Sequence, residues 1–77
     1  MTTEYAHLVI NRGDPAPQRI LPAPRRARVV TDTYATPRVT LELDVIATAP
    51  GYVCVRQQRP GQDPWNAWIP AGDATPL

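Results

Sequence analysis

Seventy-seven residues suffice for one domain, and a chain this short hides only about 60% of the surface its unfolded form exposes, so its core must be thin. A single cysteine excludes an internal disulfide, and ten prolines, each costing a helix interior about 3 kcal/mol, exclude a helical bundle. Net charge is only +1, yet it is unevenly spread: residues 1–28 carry five arginines against Glu4 and Asp14, and residues 29–77 carry three against five carboxylates.

The chain opens with EYAHLVI, a β-prone run near residues 5–10. NRGDPAPQRILPAPRR follows, where Pro15, Pro17, Pro22 and Pro24 preclude a regular ladder. Residues 1–26 therefore read as a short strand plus a Pro/Arg-rich extended arm or loop, pinned to the body by Ile20 and Leu21. From Ala27 the pattern changes. ARVVTDTY is β-prone, and after Pro37 the run RVTLELDVIA alternates Val39, Leu41, Leu43 and Val45 with Thr40, Glu42, Asp44 and Ile46, the period of a half-buried antiparallel strand. Pro50-Gly51 then turns the chain into YVCVRQQ, with Val53 and Val55 on one face and Tyr52, Cys54 and Arg56 on the other. Pro60-Gly61 suits the central positions of a type II turn, which predicts a hairpin between residues 52–58 and 65–69. Trp65 and Trp68 stand three apart on the second arm of that hairpin. Without a bulge or strand end between them they point to opposite faces, and one is expected to face water; the alternative is that both are structural, one in the core and one covered by the proline-rich arm. Residues 27–77 thus form an all-β body of four strands, which a fifth near residues 5–10 completes as a small five-stranded barrel or a rolled antiparallel sheet.

Trp68-Ile69-Pro70-Ala71, followed by a Gly-Asp-Ala turn and Thr75-Pro76-Leu77, resembles the end of an SH3-like barrel over about the last third of the chain. In that family the chain runs strand, distal hairpin, strand, an apolar-Pro-Ala/Ser step, one 3₁₀ turn and a short closing strand. The resemblance implies that Ile69 is core, while Pro70 and one tryptophan line an aromatic groove for proline-rich peptides. The sequence departs from the family in three places. The N-terminal Ala-Leu-Tyr-Asp-Tyr type of motif is missing, Ala74 or Thr75 replaces the tyrosine after the Pro-Ala step, and there is no acidic loop to pair with a ligand arginine.

Reactive side chains are few. Nucleophilic catalysis would need Cys54 or a threonine, with His7 as the histidine base; serine is absent. Cys54 lies mid-strand between two valines, where a buried thiol behaves as a small hydrophobe, and His7 reads as a strand residue on the wetter face. Glu42 and Asp44 share a face but alternate with the apolar set, which marks the solvent side of the sheet. One histidine and one cysteine cannot supply the usual metal-ligand sets, and no Gly-rich phosphate loop is present, so neither metal nor cofactor is expected. Arg12-Gly13-Asp14 spells an adhesion tripeptide by the coincidence of common residues. The prolines of the arm never fall three apart, as a Pro-x-x-Pro ligand requires.

Taken together, these residues point to a non-enzymatic protein-interaction module. Its partner-facing patch is drawn from Trp65, Trp68, Pro70, Tyr52, Arg56 and Arg59, aided by Arg25 and Arg26 of the arm. Aromatics and arginine are the usual interface anchors, worth about 2 kcal/mol or more each. On this reading Trp68→Ala abolishes partner binding and leaves the fold. One alternative is a structural or accessory subunit, a homo-oligomer or part of a larger assembly such as a phage virion, with the arm wrapped around a neighbour. Another is single-strand nucleic-acid binding, with bases stacked on the indoles beside Arg56 and Arg59; the acidic balance of residues 29–77 and the absence of lysine weigh against it. The Arg/Ala/Pro/Thr/Val palette fits GC-rich codons and hence a high-GC bacterium or its phage. The lone cysteine and the lack of a long apolar run predict a soluble cytoplasmic protein with no membrane anchor, or a virion protein if phage-encoded.

Overall fold

The computed structural model describes residues 7–77. Five antiparallel strands make up the domain: β1 (Arg19–Thr31), β2 (Val39–Ala49), β3 (Tyr52–Gln57), β4 (Trp65–Pro70) and β5 (Ala74–Pro76), with a 3₁₀ turn over Ala71–Asp73. They form one sheet in the order β4-β3-β2-β1-β5. β4 and β5 are thus opposite edges, although only the three residues of the 3₁₀ turn separate them in the chain. Laid flat, five strands would hold their edges about 19 Å apart, whereas a 3₁₀ segment advances only about 2 Å per residue. The sheet has to curl. What forms is the rolled antiparallel sheet among the expected alternatives, and no ladder seals β4 to β5.

The alternation of β2 sets the inner face. Leu43 and Val45 point inward to meet Val29, Val55, Ala67 and Ile69, with Val9 completing the main core. Beyond Val45 the phase changes, because Val45 opposes Val55 whereas Ala47 opposes Cys54. This bulge turns Ala47 and Ala49 to the outer face beside Cys54 and Tyr52, and leaves Thr48 inside opposite Val53. Both glycine turns form as the sequence predicts. Gly51 and Gly61 take φ values of 78° and 72°, and Gln62 N–H donates to Arg59 O at 3.2 Å, closing the Pro60-Gly61 turn.

Two expectations need correction. The first strand begins well before Ala27: Arg19 and Ile20 already pair with Thr48 and Ala47, and pairing resumes at Arg25 opposite Val45. Residues 21–24 bridge the gap without ladder partners, and Pro22 and Pro24, which lack an N–H, both fall inside it. The prolines do interrupt the ladder, but the chain stays extended along β2. Leu21 packs against the core as an anchor should, whereas Ile20 is 73% exposed.

The fifth strand is the C-terminal β5, not the run near residues 5–10. Residues 5 and 6 of that run lie outside the described residues; its remainder contributes one isolated bridge, Val9 opposite Thr33. Leu8 and Val9 are nonetheless buried, at 2% and 0% exposure. Backbone and side-chain donors from several elements hold this segment in place of a ladder. Ile10 N–H donates to Asp32 O, Tyr34 N–H to Leu8 O and Arg12 N–H to Trp68 O, at 3.1, 3.1 and 2.8 Å. The Gln57 amide grips the segment from both sides, donating to His7 O at 2.7 Å and accepting from Val9 N–H at 3.0 Å. Trp65 Nε1 donates to Val9 O, and Trp68 N–H donates to Asn11 Oδ1, both at 2.8 Å. Residues 7–12 therefore reach from the end of β1 to the β4 edge and satisfy edge groups that would otherwise invite another strand.

Candidate functional site

The odd spacing of the indoles does what strand geometry requires. Trp65 follows Ala67 and Ile69 to the inner face, and Trp68 goes to the outer one with Cys54 and Ala47. Neither ring stands free in water. Trp68 is 9% exposed, because the small residues Cys54 and Ala47 lie beside it across the ladder, and Ile46, Ala49 and Tyr52 pack around them. The expectation of a solvent-facing anchor at Trp68 is thus replaced by a structural role on the outer face. Register places Tyr52 opposite Pro70, and Arg26 and Arg56 on either side of Asp44. Arg26 Nη1 lies 3.4 Å from Asp44 Oδ1. Five of the expected residues, Trp68, Tyr52, Pro70, Arg56 and Arg26, therefore share one face, but its centre is already packed.

Cys54 sits in this outer cluster, at 5% exposure. Burial pushes its thiol above the ordinary range, and a hydrogen bond involving the Ala67 backbone and the charge of Arg56 offset that only in part. Near pH 8 the folded protein is expected to react with iodoacetamide at least about tenfold more slowly than the urea-unfolded chain, as followed by mass spectrometry. Equal rates would place the thiol at the surface.

Trp65 is half-buried at the end of the roll covered by residues 7–12. Tyr34 meets it edge-on at 6.4 Å between ring centroids, and the Arg59 guanidinium lies 5.9 Å from its centroid. Arg59 is itself turned back, its Nε donating to Asp63 O at 2.8 Å. A cleft of about 230 Å³ beside them includes His7 and Gln57, but the Gln57 amide is committed to holding the chain. The Arg-Gly-Asp tripeptide is likewise engaged, with Arg12 Nη2 paired to Asp32 Oδ2 at 2.7 Å.

Arg25 stands elsewhere, on a cleft of about 320 Å³ that Arg26 borders from the outer face. Leu21 and Ala27 of β1, Val45 and Thr48 of β2 and Val53 of β3 line one part of it; Ala71, Ala74 and Pro76, from the turn and β5, line the rest. The fold makes this space in two ways. The β2 bulge brings Thr48 to the cleft in place of Ala47, and three alanines stand where larger side chains would fill the interior. Among the described residues no carboxylate lines the cleft. Arg25 is exposed and forms no ion pair among the described residues, whereas Arg26 shares its charge with Asp44. Among the described residues no three His, Cys, Asp or Glu side chains converge on a possible metal position, and no helix is long and apolar enough to cross a membrane.

No protein-family model, curated protein or solved structure matches the chain, so the candidate site rests on its own geometry. The expected residues are divided: Arg25 belongs to the cleft, Arg26 to both the cleft rim and the outer face, Arg59 and Trp65 to the opposite region, and the others to the outer face. Sequence reasoning missed the cleft alanines, Thr48 and the segment-holding pair Asn11 and Gln57. Of the lining residues, Arg25 and Arg26 were expected in a partner patch, and Leu21 carried a signal as an apolar residue within the proline-rich stretch.

Proposed function

We propose that this protein is a non-enzymatic interaction module, built as an SH3-like barrel, that takes a protein partner at the cleft beside Arg25 and Arg26. The observation that carries the reading is the cleft itself: about 320 Å³ of mostly apolar-walled space left open in a domain with little core to spare. The SH3-like part of the reading is supported by the path after the distal hairpin. Ile69-Pro70-Ala71 leads into a single 3₁₀ turn and a short closing strand on β1, in the order that the resemblance implies. The proline-peptide groove of that family is not carried over, since its aromatic components here are packed or committed.

A photoreactive benzoylphenylalanine at position 71, on the cleft wall, tests the reading in host extract. It is expected to give a discrete cross-linked species that is lost on Arg25→Glu and absent when the probe is moved to Thr40 on the outer face. Identical cross-linking from both positions, or none from position 71, would remove the cleft as the partner site.

The 73% exposure of Ile20, opposite Ala47 in the β1–β2 ladder, favours a second reading as an accessory subunit of a larger assembly. Size-exclusion chromatography with light scattering separates self-assembly from binding to another chain. The nucleic-acid reading keeps the Arg59 guanidinium 5.9 Å from the Trp65 centroid as its support, and an affinity that does not fall with added salt would remove it.

A further inference from the structure

The cleft also carries information about the chemistry of what it binds, an inference that rests on the proposed function. Its walls are chiefly Leu21, Val45, Val53 and alanine, which favour aliphatic or aromatic matter over polar groups. Its volume of about 320 Å³ is roughly twice that of a cavity known to hold one benzene ring. Its charge is one-sided. Arg25 and Arg26 line it, Arg19 pairs in register with Thr48 of its wall, and no acidic side chain lines it among the described residues. Neither Arg19 nor Arg25 has an ion-pair partner among the described residues.

The neighbouring backbone restricts the mode of binding. Beyond its pairing with β5, β1 presents residues 19–25 as an edge toward the cleft, and a partner strand would need its N–H groups. Pro22 and Pro24 remove two of them, so strand addition is disfavoured and recognition falls to side chains.

We infer that the cleft receives one aliphatic or aromatic side chain of an acidic peptide segment, whose flanking carboxylates pair with Arg25 and Arg19. Burial of the apolar side chain supplies affinity, and the arginines select the sign of the flanks. A segment of opposite charge would leave Arg25 facing like charge at the rim.

Fluorescence anisotropy with the whole chain tests this, using a fluorescein-labelled peptide of about twelve residues in which Glu and Asp alternate with Leu and Val. Three probes serve as controls: the same peptide with Leu and Val replaced by Ala, the same with Glu and Asp replaced by Lys, and an oligothymidine of similar length. The acidic apolar peptide is expected to bind, and the controls to bind at least about tenfold more weakly. Arg25→Glu should weaken it by roughly tenfold or more, as should Ala71→Leu, which fills the cleft without lowering the melting temperature. Equal binding of the alanine peptide, stronger binding of the oligonucleotide, indifference to Arg25→Glu, or no binding up to about 1 mM overturns the inference. If any of these occurs while position 71 still gives its Arg25-dependent cross-link, the interaction reading stands and only the acidic character of the partner falls.

Discussion

Replacing Trp68 by alanine is expected to unfold the domain or bring it close to unfolding at ambient temperature. Truncating a buried tryptophan costs about 3–5 kcal/mol, while a whole domain is stable by only about 5–15 kcal/mol, with short chains at the low end. Nothing nearby can refill the space, since the residues beneath the ring, Cys54 and Ala47, are small. The main-chain groups of position 68 that accept from Arg12 N–H and donate to Asn11 Oδ1 are kept in the variant, so the loss is that of the ring's packing. A thermal melt followed by circular dichroism should show the midpoint lowered by roughly 15–30 °C, at about 4–8 °C per kcal/mol for a domain this small. Trp68→Phe keeps an aromatic cover and should retain most of the stability. A near-native melt for the alanine variant would return the indole to the surface role expected from its spacing alone.

The contrast at Trp68 shows which steps of the folding argument are local. Strand periodicity determined which face each indole takes, because alternation is a property of one chain segment. What covers each face is a property of register. Trp68 is buried because Cys54 and Ala47 meet it across two ladders, and that alignment depends on the bulge between Val45 and Ala47. The run RVTLELDVIA reads as unbroken alternation through Ile46, so no residue in it announces the shift. The type II turn at Pro60-Gly61 was legible for the opposite reason: its requirements, a fixed φ and then a positive φ, are met by two adjacent residues.

Proline was read correctly as a donor it lacks and too strongly as a boundary. Pro22 and Pro24 have no ladder partner, yet the strand resumes at Arg25 because β2 can skip a stretch and re-pair. That continuation carries Arg25 and Arg26 from the expected extended arm to the cleft. The cleft had little chance of being seen beforehand, since its volume comes from what Ala27, Ala71 and Ala74 leave out. The closing strand Ala74–Pro76 is too short to show any period, and only the likeness to SH3-like barrels pointed to a strand there.

Deleting residues 1–12 is expected to abolish the cooperative fold, even though its described part, residues 7–12, adds no strand to the sheet. Leu8 and Val9, at 2% and 0% exposure, would each withdraw about 1.5–3 kcal/mol of apolar burial. The Trp65 indole, the Gln57 amide and the β4 edge at Trp68 would lose their partners at the same time. Together these losses amount to about 4–10 kcal/mol, comparable to the full stability of a short domain. Gln57→Leu isolates one part of the effect. It leaves His7 O and Val9 N–H without their side-chain partner and should cost about 1–3 kcal/mol while the fold persists. The deleted chain should refold when a synthetic peptide of residues 1–12 is supplied in excess, since any species that binds only the folded state stabilises it by mass action. Amide resonances in a nitrogen–proton correlation spectrum would report the recovery. A deleted chain that melts like the intact one would show that Val9 merely lies on a core already complete without it.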